Sequence, residues 1–177
     1  IPNVLKHFNA EFPQVKVQLI SSFTAELKDQ FSKGEIDIIL TTEQELDAGG
    51  ETLKEAALRW IGAPQGRAWQ QRPLPFASRQ SCNFRSMSFA ALDRAGIAWE
   101  DVVTTESEVA AEASASADLA VLTRLEGHHP PHLELIEANG QLPDLGTSLV
   151  NIYGPHEKTE FAQRLKEIIR VSFWRLK

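Results

Sequence analysis

The order of periodicities along this chain predicts an α/β fold, and three runs of residues carry the prediction. Val15, Val17 and Leu19 alternate with Lys16 and Gln18, the period-two signature of a strand. Phe23, Leu27 and Phe31 recur every fourth residue, the stripe of an amphipathic helix, with Lys33 and Gly34 as last-turn cation and glycine stop. Ile36 to Leu40 is a short, nearly all-apolar run, the pattern of a buried parallel strand. A β-α-β unit of this kind brings its strand ends to one rim of a sheet.

The elements around this unit follow in order. Ile1, Val4, Leu5, Phe8 and Phe12 mark a helix with Pro2 near its first turn, so the chain starts inside a helical pattern and reads as a piece of something longer. Gly49-Gly50 marks a loop, and Leu58 to Ala63 a strand. Pro64, Gln65 and Gly66 read as a crossing point, since Pro and Gly punctuate strands and reversals. A second lobe then begins. Leu74 to Ser78 is a strand, Asn83 caps a helix that runs to about Ala95 and stops at Gly96, and Ile97 to Val103 is a strand. Ser107 to Ala117 is an alanine-rich helix, and Leu119 to Leu122 a short buried strand. Gly127 to Leu145, rich in Pro, His and Gly, gives no periodicity. Thr147 to Tyr153 reads as a strand leading back to the first lobe. Gly154-Pro155 breaks the chain before a final helix faced by Phe161, Leu165, Ile168 and Ile169.

Composition narrows the function classes. The chain has 177 residues, 42% of them hydrophobic, enough for a core in one domain or two small lobes. No apolar run approaches transmembrane length, so no membrane partner is expected. A net charge of −6 with scattered basic residues opposes contact with a phosphate backbone, and no helix-turn-helix with a basic recognition helix is present. One cysteine, Cys82, excludes an internal disulfide framework and suits a reducing, cytoplasmic setting. The motifs G-x-S-x-G, H-E-x-x-H, P-loop and G-x-G-x-x-G are missing, so no enzyme and no cofactor is expected. His128, His129 and His132 read as an exposed loop, because Pro130 and Pro131 prevent the helical spacing that pairs metal ligands; no metal site is assigned. Trp60, Trp69, Trp99 and Trp174 read as packing or interface residues.

Hydroxyl residues follow the expected strands: Ser21 and Ser22, Thr41 and Thr42, Thr104 and Thr105, and Thr123. Ligands of open α/β sheets bind beyond the carboxyl ends of strands, where helix N–H groups point outward. A hydroxyl there donates and accepts, which suits a small organic acid. The competing reading is that each is a helix cap. Thr105 with Glu108 fits a capping box, which would commit that hydroxyl to its own helix.

The chain also resembles the effector-binding domain of LysR-type transcriptional regulators. The resemblance rests on Phe8, Pro13 and Val15 in an F-x-x-x-x-P-x-V pattern, on Ser21 to Thr24, and on Gly34-Glu35-Ile36-Asp37-Ile38. It extends through LPFASRQSCNFRSMSFAALDRAGIAW and TTESEVAAEASASADLAVL, and so covers Ile1 to about Trp174. Where the family usually shows A-G-L-G-V, this chain has Ala117-Asp118-Leu119-Ala120-Val121.

The resemblance implies two α/β lobes joined by two crossover strands, the architecture of type 2 periplasmic binding proteins. Subdomain I would hold residues 1–63 and 154–177 and subdomain II residues 67–150, with crossings at 64–66 and 151–153. A small effector would bind in the interlobe cleft, with Ser21, Ser22, Thr24, Thr41, Thr105 and Ser107 as candidate contacts. A DNA-binding domain and a first strand would precede Ile1, and DNA would be reached only through that missing part. The resemblance further implies a homodimer or tetramer in which the helix Pro2 to Phe12 meets a partner's Ser86 to Ala95. Val4, Leu5, Phe8, Phe12, Met87 and Leu92 are the expected interface, although the first of these stripes equally suits its own sheet. The alternative to a ligand-sensing regulatory domain is a periplasmic solute-binding protein for a small polar solute. An enzyme on this fold would need a convergent acid/base pair in the cleft.

Overall fold

The computed structural model describes residues 1–155 and 159–174, the side chain of Trp174 excepted. The end of the 154–177 segment and the expected packing role of Trp174 thus lie partly outside the described residues. The chain divides into two compact units, residues 1–55 with 149–177, and residues 56–148. The units part at Glu55/Ala56 and Ser148/Leu149, whereas the sequence reading draws its crossings at 64–66 and 151–153. The α/β class is as expected.

Unit 1 holds α1 (Pro2–Glu11), α2 (Thr24–Ser32), β1 (Ile39–Glu43), the first half of β2 (Gly50–Gly62), most of β7 (Thr147–Tyr153) and α5 (Glu160–Trp174). Its three strands lie in the order β1, β7, β2. Alternation along β1 and β7 sends side chains to both faces, and helices cover each face. Leu40 and Ile152, opposite each other in the ladder, face α1 and α5 with Leu53, Val4, Phe8, Ile168 and Ile169. Ile39 and Tyr153, the neighbouring pair, face α2 through Leu27 and Phe31.

Two expectations fail here. The run from Ile36 becomes a strand only at Ile39, and it pairs antiparallel with β7 rather than parallel. An apolar run fixes burial but not strand direction, and the neighbour that returns from unit 2 runs the other way. Val15 to Leu19 forms no strand, and Val17, Leu19 and Ile20 are 40%, 67% and 42% exposed. A period-two pattern needs a neighbouring strand to take its backbone N–H and C=O groups, and among the described residues none pairs with it; the Val15 N–H turns back to the Phe12 carbonyl at 3.0 Å instead. Among the described residues β1, at the end of the strand order, pairs in a ladder with β7 alone.

Unit 2 holds the second half of β2, β3 (Leu74–Arg79), α3 (Asn83–Arg94), β4 (Trp99–Thr105), α4 (Glu108–Ser116), β5 (Leu122–Leu125) and β6 (Glu134–Leu135). β3 and β4 are parallel, the pairing a crossover helix such as α3 permits, and Phe76 bridges to Val121 on the other side. β2 runs antiparallel to β5 and β6. Successive residues of β3 again face two layers. Ala77 packs with Ala111 and Ala115 of α4, where small side chains allow close approach to Ile61 and Leu122. Phe76 stacks edge-on with Trp60 and with Phe89 of α3, and Phe89 lies parallel to Trp99 at 3.7 Å.

The strand expected at Leu119 to Leu122 begins instead at Leu122. Asp118 and its left-handed backbone (φ 56°) turn the chain there and leave Leu119 62% exposed. Helix α3 has Cys82, not Asn83, at its N-cap.

Candidate functional site

The hydroxyl residues fall on both units, and each set is fixed by its local structure. In unit 1, α2 starts from Phe23, whose side chain supplies no cap to the first turn. The Ser22 hydroxyl donates to Glu26. Thr24 donates to the carbonyl of Thr42 and accepts from its N–H, both at 3.3 Å. Ser21 is exposed, whereas Thr41 is 3% exposed and points into the unit. Thr41 and Thr42 lie within β1 rather than beyond it, because the ladder with β7 extends to Glu43.

Below the start of α2 lies a polar network that the sequence reading missed. Lys28 stands one turn after Thr24 and reaches Glu43 at 2.7 Å and Asp47 at 2.6 Å, with Nζ 4.9 Å from the centre of the Tyr153 ring. Glu43 also accepts from the Tyr153 hydroxyl at 2.7 Å and from Asn151 at 3.0 Å. Burial pushes the Glu43 carboxyl up, but hydrogen bonds from Lys28, Tyr153 and Asn151 prevail and hold it below the usual glutamate range. Burial likewise pushes Lys28 down, yet Asp47 and Glu43 raise it above the ordinary lysine range. The only sequence signal was the acidic residue after a threonine pair, which reads as a loop carboxylate.

In unit 2, Ser107 is the N-cap of α4 and accepts the Ala110 N–H at 3.3 Å. Thr105, half-buried at the end of β4, accepts the Ser107 N–H at 3.0 Å. The capping box of Thr105 with Glu108 does not form, since the cap falls two residues later and Glu108 turns to Arg124 at 3.1 Å. Beside these residues the end of β3 places Ser78 and Arg79, and the middle of β5 places Thr123 and Arg124, around a small cavity with Cys82 and Arg85. Thr123 accepts from the fully buried Ser88 hydroxyl at 3.2 Å. Arg85 donates to Ser78 at 3.1 Å and pairs with Asp101 at 3.0 Å. Arg124 meets Glu112 at 3.1 Å and Arg79 meets Glu108 at 3.8 Å, so the arginines are held in place by carboxylates. Arg124 went unnoticed in the sequence because it sits inside β5, directly after Thr123.

The six residues assigned to a dimer interface divide by burial. Val4 is 4% exposed, Phe8 1% and Leu92 0%, each packed inside its own unit. The stripe on α1 therefore faces α5 and the unit's own sheet, while Leu5, Phe12 and Met87 stay half-buried. His128 and His132 are exposed and His129 is half-buried. Among the described residues no group of three or more His, Cys, Asp or Glu side chains is placed to hold a metal ion, and no helix is long and apolar enough to cross a membrane.

Comparison with known proteins agrees with this architecture. The LysR substrate binding domain family matches residues 1–150. The HTH-type transcriptional regulator PecT of Dickeya dadantii is 24% identical over 149 residues, 82% of this chain and 46% of PecT. The chain spans about half the length of the curated relatives it matches. Among solved structures, the regulatory domain of Synechocystis CcmR in complex with 2-PG is 12% identical with a TM-score of 0.74, covering 97% of this chain and 90% of that one. The BenM effector binding domain with its effector benzoate is 13% identical with a TM-score of 0.68, covering 99% and 86%. These likenesses establish the shared fold, that of periplasmic-binding-protein-like effector domains. The chain belongs to the LysR substrate-binding domain family, and with it to the effector-binding part of LysR-type transcriptional regulators.

Proposed function

We propose that this domain senses a small organic anion through the starts of α2 and α4, with Ser21, Ser22 and Thr24 on unit 1 and Thr105 and Ser107 on unit 2. Thr41, the remaining candidate contact, lies buried in β1. The observation that carries the reading is the start of α2, where Phe23 supplies no capping side chain and the exposed Ser21 and the half-buried Ser22, whose hydroxyl donates to Glu26, stand beside the first turn. The benzoate of BenM is an effector of this class. Binding in the interlobe cleft that the resemblance implies would favour one arrangement of the lobes over another by its difference in affinity, a population shift. A DNA-binding domain outside this sequence reads that shift, in a cytoplasmic homodimer or tetramer. Leu5, Phe12 and Met87 are the interface residues of the original six that retain exposure for such a partner.

Thermal unfolding against a panel of small carboxylates, benzoate first, tests the reading. A ligand at 100 times its dissociation constant stabilises by about 2.7 kcal/mol. The expected result is a melting shift that Ser22→Ala or Thr105→Ala removes. A panel without any shift, or a shift indifferent to both variants, overturns the site.

A further inference from the structure

The two strands that carry the chain out of unit 1 and back, β2 and β7, are tied to a single carboxylate. Glu43 closes β1 with a side chain only 8% exposed. One of its oxygens meets Lys28 of α2 at 2.7 Å, and the other accepts from Asn151 at 3.0 Å and Tyr153 at 2.7 Å, both on β7. Asn151 is fully buried and accepts the Thr52 hydroxyl of β2 at 2.8 Å. The Tyr153 ring presses on the start of the same strand, where a Cβ on Gly50 would stand 2.5 Å from it. All of this lies within unit 1, and Gly50, Thr52, Asn151 and Tyr153 lie within six residues of the points where the chain passes to unit 2.

A buried ion pair adds little stability over apolar residues of the same volume, so stability alone does not account for this one. What it fixes is geometry. Lys28 has to satisfy Glu43 and Asp47 while lying over the Tyr153 ring, which sets the rotation of α2. At the other end of that turn, Thr24 is joined to β1 by the backbone of Thr42. We propose that Glu43, acting through Lys28, is a positioning residue that couples the start of α2 to both crossing strands. An anion seated at Ser22 and Thr24 then moves β2 and β7 together, a consequence that rests on the effector reading above. The coupling itself does not.

Hydrogen exchange of the ligand-free 177-residue chain, read by mass spectrometry, separates the two. Thr24→Val loosens the start of α2, and exchange in peptides covering residues 50–55 and 148–153 is expected to rise roughly tenfold. In a Glu43→Gln background the same Thr24→Val change should add nothing there, while peptides from α1 and α5 stay within about twofold. Lys28→Met, at a side chain 27% exposed, provides the same cycle should Glu43→Gln fail to fold. Additive effects of the two substitutions, or changes confined to α2, overturn the coupling. Because no ligand is present, a negative answer here and a negative answer from the carboxylate panel are independent results.

Discussion

The carboxylate of Asp118 accepts the backbone N–H of Arg67 through both oxygens, at 3.0 and 2.8 Å. One of those oxygens also takes the N–H of Ala68 at 2.9 Å. Asp118 holds a left-handed backbone with φ 56°, a conformation that aspartate tolerates better than most side chains. The residue thus closes the turn after α4 and caps the short 3-10 helix Ala68–Gln70 in one step. Asp118→Ala removes charged hydrogen bonds and keeps the backbone cost, and should lower unfolding free energy by about 2 kcal/mol. Asp118→Asn, which retains one acceptor and the same backbone tolerance, should lose about half as much in urea denaturation.

Glu43 gives the stability an acid limb. Its folded pKa lies below that of an unfolded glutamate, about 4.3. The carboxylate therefore contributes fully above that value, and the contribution is lost as pH falls through the folded pKa. Melting temperature measured from pH 6 downward should drop more steeply in the wild type than in Glu43→Gln once pH passes roughly 4.3. Parallel curves for the two proteins would show that the network does not sense protonation of this group.

Gly154 leaves no room for a side chain. Its φ is 103°, and a Cβ would stand 2.2 Å from the carbonyl oxygen of Asp37 and 3.0 Å from the Phe31 ring. The nearest atom belongs to the backbone and cannot rotate away. Gly154→Ala should destabilise by about 3 kcal/mol, seen as a lower urea midpoint at unchanged slope. A loss under about 0.5 kcal/mol would mean that β7 ends differently from this description.

Ser107 separates capping from recognition. Its hydroxyl accepts from Ala110, so Ser107→Ala should cost about 1 kcal/mol with no ligand present. Ser107→Asp keeps the cap and should restore stability, while its negative charge should abolish any carboxylate-induced melting shift. A shift that survives Ser107→Asp would place the anion away from the start of α4.

The alternation of strands and helices was legible because each helix carries its own stripe and stop. α2 with Leu27 and Gly34, and α3 ending at Gly96, fall within a residue or two of expectation. β7 matches Thr147 to Tyr153 without displacement. Strand direction was not legible, since Ile39 and Leu40 look the same in either kind of pairing. Nor was the strand status of Val15 to Leu19, which depends on a neighbour rather than on its own pattern. At the candidate site the hydroxyls were visible and their partners were not. Lys28, Glu43 and Asn151 are 15 to 123 residues apart in sequence and meet only through β1 and β7. The α1 stripe read equally well as interface or core: Val4 and Phe8 are buried against α5, while Leu5 and Phe12 of the same helix stay half-buried.

The exposed Val17, Leu19 and Ile20 together make this segment a place where copies of the 177-residue chain can begin cross-β growth. Bare β-branched and leucine side chains in an extended stretch are a template that a second chain can extend. Concentrated samples should lose monomer over days and bind thioflavin. A single gatekeeper charge, Leu19→Lys, should suppress both without altering the melting temperature, because that side chain is 67% exposed and contributes little to the fold.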